Sequence, residues 1–361
     1  MVHNPVTPDT ARAWVDVDLD AVVRNARSFA ARTGVPMLPM VKADGYGLGA
    51  VAVARALAEL EPWGYGVASI DEARELHVNG VLRPILICSP MLPQLAEATA
   101  AVAARPTIGN LEALRAWLAL GERPFHLEID TGMLRSGLRW DDVTQLMEAR
   151  NLLASAAGWE GVYTHFHSAE RDDAATADQW RRLQQAITTL GRRPPLVHAA
   201  NSAAGAAGEA YAADMTRPGI HLYGGRLSGL DAVPVAAVRA RVVGVRRLPA
   251  GGTVSYEATW RAPNPTTIAT LAIGYADGMH RRLSNGGAVE LLGQRLRIVG
   301  RVTMDHLMVD AGDLPVSLGD VATLFGGLVS LDEQAALAGT IAYELLTGLG
   351  ARLPRRYHRS S

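Results

Sequence analysis

A chain of 361 residues, 48% hydrophobic and 20% charged, has the composition of a folded globular domain pair and excludes disordered and membrane-embedded classes. The formal net charge of −1 supplies no electrostatic pull toward nucleic acid or an anionic membrane surface, so the expected ligand is small. A single cysteine, Cys88, excludes an internal disulfide and a cysteine-rich zinc site.

The chain opens on a polar segment, 1–12, without the apolar stretch of a secretory signal, and no run approaches the roughly 20 apolar residues that span a bilayer. A cytoplasmic location is the expectation. From 13 to 230 short apolar runs alternate with helix-like stretches, the pattern of parallel strands buried on both faces. Strands are expected at 14–17, 37–42, 64–68, 85–88, 106–108, 125–129, 161–165, 196–199 and 219–223. Helices are expected at 49–60, 70–79, 111–120, 140–149 and 174–190, with Asp71, Asn110 and Asp141 as cap candidates. Cys88 falls inside one of the apolar runs and reads as a buried, unreactive thiol. About eight such units in roughly 220 residues predict a (β/α)8 TIM-like barrel rather than a doubly wound sheet. From 231 to 361 the texture changes to runs at 235–248, 266–273, 288–299 and 321–325 separated by proline and glycine turns, which predicts a mostly-β second domain.

The segment Val41-Lys42-Ala43-Asp44-Gly45-Tyr46-Gly47 puts a lysine at the C-terminal end of an expected strand, at the mouth of a glycine-rich turn. In a barrel that rim carries the active site, and an amine there can form a covalent bond to a carbonyl compound. Alone, such a lysine is more simply a snorkelling side chain. Three further motifs, Asp130-Thr131-Gly132-Met133-Leu134-Arg135, Thr164-His165-Phe166-His167 and Asn201-Ser202, follow later strands, as does Arg217-Pro218-Gly219-Ile220. Each has a plain structural explanation by itself, His165 as a core histidine and Arg217 as an ion-pair partner. A barrel would gather all of them on one face with Lys42.

Taken together these motifs resemble the alanine racemases, the barrel-type enzymes that use pyridoxal 5'-phosphate. The resemblance extends over nearly the whole chain, through Leu222-Tyr223-Gly224, Ser255-Tyr256-Glu257-Ala258-Thr259-Trp260, Gly274-Tyr275-Ala276-Asp277-Gly278, Gly300-Arg301-Val302-Thr303-Met304-Asp305 and Leu353-Pro354-Arg355. It implies that Lys42 binds the cofactor and that Tyr46, Asn201, Ser202, Tyr343 and the backbone of Gly219 and Ile220 surround its phosphate. It also implies that His165 packs by the pyridine ring and that Arg217 faces the pyridine nitrogen. A guanidinium, effectively always protonated, leaves that ring a weaker electron sink than an acid would. Racemisation needs acid/base groups on both faces of the α-carbon. The resemblance assigns these to Lys42 for the D-enantiomer and to Tyr256, from the second subunit of a homodimer, for the L-enantiomer. Arg135 would then lie near the substrate carboxylate, with Tyr275, Met304 and Asp305 of the second subunit lining the entrance. The implied product is D-alanine for peptidoglycan.

Three positions depart from the family. Glu128 stands where many members carry a carbamylated lysine, and it is expected to pair with Arg135 without modification. Leu48 replaces a histidine and Glu257 a small residue, so racemisation of serine or another amino acid is an alternative. A D-amino-acid aldolase is a second alternative, but such lyases typically rely on a metal and no third ligand accompanies His165 and His167. A cofactor-binding protein without catalysis would not need residues 231–361. The two-domain decarboxylases are longer and use a reactive cysteine.

Overall fold

A computed structural model describes residues 10–359; most of the polar start, and the last two residues of the expected second domain, lie outside them. Strand β1 (Ala13–Asp18) is followed by a parallel sheet of β2 (Tyr65–Val67), β3 (Ile85–Pro90), β4 (Arg105–Ile108), β5 (Phe125–Asp130), β6 (Trp159–Tyr163) and β7 (Leu196–His198), paired in that order. Two irregular segments close the ring. Leu38 N–H donates to Thr216 O (2.7 Å), Met40 N–H to Pro218 O (2.9 Å) and Val41 N–H to Gly66 O (2.9 Å), while Arg217 N–H donates to Ala200 O (2.9 Å). The six strands and these two segments give the eight staves of the expected barrel. The expected strand at 37–42 makes only isolated bridges, because Pro36 and Pro39 carry no N–H for a continuous ladder.

Two expectations are corrected. Residues 219–223 form not a strand but a one-turn 3-10 helix, Ile220–Tyr223, which starts after Pro218-Gly219 and stops at Gly224 in a left-handed conformation (φ 87). Residues 14–17 form a strand, but β1 pairs antiparallel with residues 236–240 and parallel with 355–358, outside the barrel. Its alternation could be satisfied by either sheet. Asn110 caps its helix as expected, whereas Ser69 and Asp142 serve where Asp71 and Asp141 were expected.

The second sheet comprises β8 (Ala236–Leu248), β9 (Thr266–Leu271), β10 (Ala288–Leu291), β11 (Gln294–Val299), β12 (Leu307–Gly312), β13 (Val321–Phe325) and β14 (Arg355–His358). The order β8-β9-β12-β11-β10-β13 returns to β8, a closed antiparallel barrel to which β1 and β14 are added. The 13 residues of β8 allow this closure, since its C-terminal half pairs with β9 and its N-terminal half with β13 and β1. Two helices, Leu331–Ala338 and Ala342–Thr347, make the domain mostly rather than wholly β. The first was not expected; it starts on a Ser-x-x-Glu sequence, Ser330 accepting from Glu333 N–H (3.1 Å).

One continuous apolar cluster runs from Val22 and Phe29 of the helix Leu19–Thr33 through Leu222 and Tyr223 to Val238, Val309 and Leu345, so both barrels share a core. Buried Asn25 fastens the linker between them. Its amide donates to Val233 O (2.9 Å) and its carbonyl accepts from Val233 N–H (2.7 Å), as a neighbouring strand would. Asn25→Ala leaves both linker groups unpaired and is expected to cost about 1–3 kcal/mol, read as a lower urea midpoint. An unchanged midpoint would show that the linker is held elsewhere.

Candidate active site

The lysine turn is built in an uncommon way. From Ala43 to Gly47 every residue has positive φ, and Ala43, Asp44, Tyr46 and the two glycines make one turn of left-handed helix. Each non-glycine residue in that conformation costs roughly 1–2 kcal/mol. Side-chain acceptors offset this. The Glu72 carboxylate accepts from Ala43 N–H (2.8 Å) and Ala68 N–H (2.7 Å), tying the turn to the end of β2, and Asp44 accepts from Ala50 N–H (2.9 Å). The second domain packs on the same turn. A β-carbon on Gly47 would overlap the Leu346 carbonyl, and Arg355 Nε donates to Gly47 O (2.9 Å).

Above it opens a cavity of about 480 Å3 lined by Lys42, Tyr46, Arg135, His165, Asn201, Ser202, Arg217, Gly219 and Tyr343, all singled out in the sequence, together with Met40, Cys88 and Tyr163. The volume is that of a cofactor pocket. At one end Ser202 Oγ accepts from Gly219 N–H (2.7 Å), and a β-carbon on Gly219 would overlap the Tyr46 hydroxyl. Only glycine leaves that cradle open. Tyr46 is stacked on Tyr223 (4.5 Å) and tilted against Tyr343 (6.0 Å), and burial raises both the Tyr46 phenol and that of Tyr343, the latter to about 12, so both keep their protons and can donate. Asn201 spends its side-chain oxygen capping the helix Ser202–Ala206, accepting from Ala204 N–H (3.0 Å).

Arg217 is buried on the cavity floor. Nη1 donates to His198 Nδ1 (2.8 Å), and Nη2 donates to Thr164 O (2.8 Å) and Ala199 O (3.0 Å), with the guanidinium 4.9 Å over the Tyr163 ring. These bonds occupy three of the five guanidinium N–H groups, leaving Nε–H and one Nη1–H. Because Arg217 can only donate, His198 must carry its proton on Nε2, which meets His126 Nδ1 (2.8 Å). His126 then donates from Nε2 toward Glu160 (3.3 Å), itself bound by Arg105 (2.8 Å). Each tautomer is dictated by its neighbour. Burial holds His198 well below the ordinary imidazole range and lowers His126, and burial with the charges of Arg217, Arg135 and Lys42 brings His165 to about 3. All three rings are neutral at physiological pH.

Glu128, on the fully buried strand β5, is not ion-paired with Arg135 as expected. Burial pushes its carboxyl above the usual range, opposed by the Ser136 hydroxyl and by the more distant charge of Arg135, and its Oε2 has no hydrogen-bond partner. In the loop between them Asp130 accepts from Gly132 N–H (2.9 Å) and Leu134 N–H (3.0 Å), and Arg135 lines the cavity from its exposed rim. Cys88 is half-buried and lines the cavity rather than the core alone, with burial raising its thiol to about 11. Leu48 is fully buried in the shared core. His167 meets Ser168 Oγ (2.6 Å) on the surface, so the His-x-His pair does not converge.

Besides Glu128, five predicted residues are not part of this cavity's lining: Ile220, which is buried in the core, and four of the second domain. Tyr256 (71% exposed), Tyr275 (45%) and Met304 (52%) stand out from the second domain, and Asp305 lies half-buried beside them. The loops of Tyr275, Met304 and Asp305 are cross-linked by hydrogen bonds. Fully buried Asp277 binds Arg12 (2.8 Å) and Arg352 (3.0 Å) and accepts from Gly274 N–H (3.0 Å), Arg352 also binds Asp305 (2.6 Å), and Tyr275 N–H donates to Thr303 O (2.9 Å).

Sequence reasoning missed Tyr163, His198, His126, Glu160 and Glu72. Parity could have found two of them, since Tyr163 shares a strand face with His165, and His126 with Glu128 and Asp130.

Comparisons with known proteins agree with this geometry. A family profile described as alanine racemase, N-terminal domain, matches residues 17–227, and one described as alanine racemase, C-terminal domain, matches 235–357. An alanine racemase of Desulfosudis oleivorans is 36% identical over 386 residues, covering 97% of each chain. The crystal structure of alanine racemase from D-cycloserine-producing Streptomyces lavendulae superposes with a TM-score of 0.90 at 30% identity, covering 98% of each chain. That of Bartonella henselae with covalently bound pyridoxal phosphate gives 0.89 at 31% identity, covering 96% of this chain and 100% of that one.

The buried neutral histidines set an acid limit. Below about pH 6.5 an unfolded histidine takes up a proton that His126, His165 and His198 refuse when folded, so the unfolded chain binds more protons and stability falls with pH. Each contributes roughly 1.4 kcal/mol per pH unit until its own folded-state titration. Urea midpoints measured between pH 7.5 and 5 are expected to fall steadily below 6.5; a flat profile would contradict the neutral assignment.

Proposed function

The chain belongs to the alanine racemase family, and on that premise we propose that it interconverts L- and D-alanine with pyridoxal 5'-phosphate held in the cavity of Lys42. The observation that carries the reading is the convergence in one cavity of Lys42, Tyr46, His165, Ser202, Arg217 and Gly219 from separate staves of the barrel. These residues suit the cofactor. The glycine cradle and hydroxyl donors at Tyr46 and Ser202 fit a phosphate, with Asn201, Ile220 and Tyr343 completing that end, and the Lys42 amine fits an aldehyde. When bound, the cofactor withdraws electrons from the substrate α-carbon and acidifies its proton.

The remaining work falls to side chains. Arg217 would offer its remaining N–H donors to the pyridine nitrogen and give up no proton there, because a guanidinium keeps its charge. The relay through His198 and His126 to Glu160 holds that guanidinium in place and spreads its charge toward an anion, the buried cation being tolerable only when so paired. Weak electron withdrawal favours prompt return of the α-proton over side reactions such as transamination. His165, neutral, packs against the ring without adding charge. Arg135, exposed at the rim, binds the substrate carboxylate.

Lys42 Nζ takes or returns the proton on the face of the D-enantiomer. Tyr256 serves the opposite face for the L-enantiomer and comes from the second chain of a homodimer, where Tyr275, Met304 and Asp305 line the entrance. Their exposure on the second domain and their distance from their own chain's cavity lining support a shared site. The domains then divide as 13–230 for the cofactor and 231–361 for the partner's site, in a cytoplasmic enzyme that supplies D-alanine for peptidoglycan. No helix among the described residues is long and apolar enough to cross a membrane.

The test is α-proton exchange in deuterated water with L-alanine, D-alanine and L-serine, with cofactor absorbance followed in the wild type and Lys42→Ala. Exchange into both alanine enantiomers and not serine is expected, with loss of exchange and of the lysine-bound absorbance in the variant. No exchange into alanine sinks the substrate, and an unchanged absorbance in Lys42→Ala sinks the anchor.

A further inference from the structure

The segment that carries Tyr256 is strained on both sides of it. Ser255 (φ 66), Glu257 (φ 63) and Ala258 (φ 48) all occupy the left-handed region with a side chain attached, which persists only where the surroundings impose it. Arg301 contacts both sides of the strained segment. The Arg301 carbonyl accepts from Ser255 Oγ (2.8 Å), and its guanidinium donates to Glu257 Oε2 through Nε (3.1 Å) and Nη2 (2.6 Å). These contacts bracket Tyr256 at the preceding and the following position.

The approach depends on Gly300, whose φ is 72 and where a β-carbon would lie 2.7 Å from the Val254 carbonyl. Asn285 secures the same strip, accepting from Gly300 N–H (2.6 Å) and donating to Thr259 Oγ1 (3.1 Å). The hydrogen bond from Arg301, with Arg281 adding charge nearby, holds the Glu257 carboxyl below its usual range, so the pair is ionised at neutral pH. With Tyr256 71% exposed, the direction of its phenol is set by this backbone rather than by packing around the ring.

We propose that Glu257 and Arg301 are a positioning pair for Tyr256, fixing the turn that aims its phenol away from its own domain and into the active site of a neighbouring subunit. The proposal rests on the reading of Tyr256 as the base for the L-enantiomer. Neither residue touches the substrate in this account. Each acts through the turn.

Because the two enantiomers are equal in free energy, any variant must lower kcat/KM equally in both directions, and rates alone do not reveal which base is disturbed. Primary isotope effects do. Glu257→Gln is expected to lower kcat/KM about fivefold, the equivalent of about 1 kcal/mol and the upper end for an exposed ion pair. It should raise the isotope effect with α-deuterated L-alanine, lower that with α-deuterated D-alanine, and leave cofactor absorbance unchanged. Glu257→Gly, which relieves the positive-φ strain and so removes folding as a concern, should shift the isotope effects the same way, and the exchange Glu257→Arg with Arg301→Glu should restore most of the rate. Wild-type rates and isotope effects in Glu257→Gly, with Tyr256→Phe inactive, would overturn the positioning pair, as would a rate loss that moved neither isotope effect. Wild-type turnover in Tyr256→Phe would instead overturn the assignment of Tyr256 on which the proposal rests.

Discussion

Everything at the site depends on a turn of left-handed helix that the backbone would not adopt unaided. Ala43, Asp44 and Tyr46 forgo the conformation ordinary for L-residues, at a cost of roughly 1–2 kcal/mol each. The return is geometric. The turn sets Lys42 and Tyr46 on the wall of the same cavity. The strain is held by Glu72 from the barrel and by Leu346 and Arg355 from the second domain. The second domain is therefore part of the frame that holds Lys42, quite apart from the residues it presents outward.

A second constraint lies beneath the cavity. A buried cation is costly unless it is paired and hydrogen-bonded, and Arg217 has no carboxylate beside it in the hydrogen-bond pattern; its neighbours are two carbonyls and a histidine. Glu160 ends the hydrogen-bonded line two imidazoles away, and the carboxylate whose charge acts on Arg217 is Glu128. Because each ring must accept from one side and donate to the other, the line has one consistent arrangement of protons, and burial keeps both rings from breaking it by ionising. A neutral His165 on the cavity wall follows the same logic: with Arg217, Arg135 and Lys42 nearby, a further positive charge is excluded.

The sequence disclosed the fold through periodicity and the site through residues at strand ends. Strands 85–88 and 125–129 were legible because apolar runs bounded by turns have few other interpretations, whereas the one expected at 161–165 lies two residues earlier, at Trp159–Tyr163. Misplacements have identifiable causes. Proline spacing interrupts the stave at 37–42, a Pro-Gly entry and a Gly-Gly exit turn 219–223 into a helical turn, and β1 satisfies its alternation in the other sheet. Lys42, His165, Ser202 and Arg217 were recognisable from motifs, whereas His198, Glu160 and Glu72 act through partners far away in the chain. Glu128 and Arg135 make no direct ion pair, although the Arg135 charge acts on the Glu128 carboxyl, and the loop between them is shaped by two backbone N–H groups bound to Asp130. No composition or spacing encodes that.

The central claim is that one active site draws Lys42 from one chain and Tyr256 from another. Mixing Lys42→Ala and Tyr256→Phe chains after separate purification, with conditions that allow subunits to exchange, tests it directly. Each parent alone should be inactive. With random pairing half of the dimers are mixed, and one of the two sites in each mixed dimer is intact, so the mixture should recover about one quarter of wild-type activity. A mixture that has exchanged subunits yet remains as inactive as its parents would place both bases on the same chain and contradict the account.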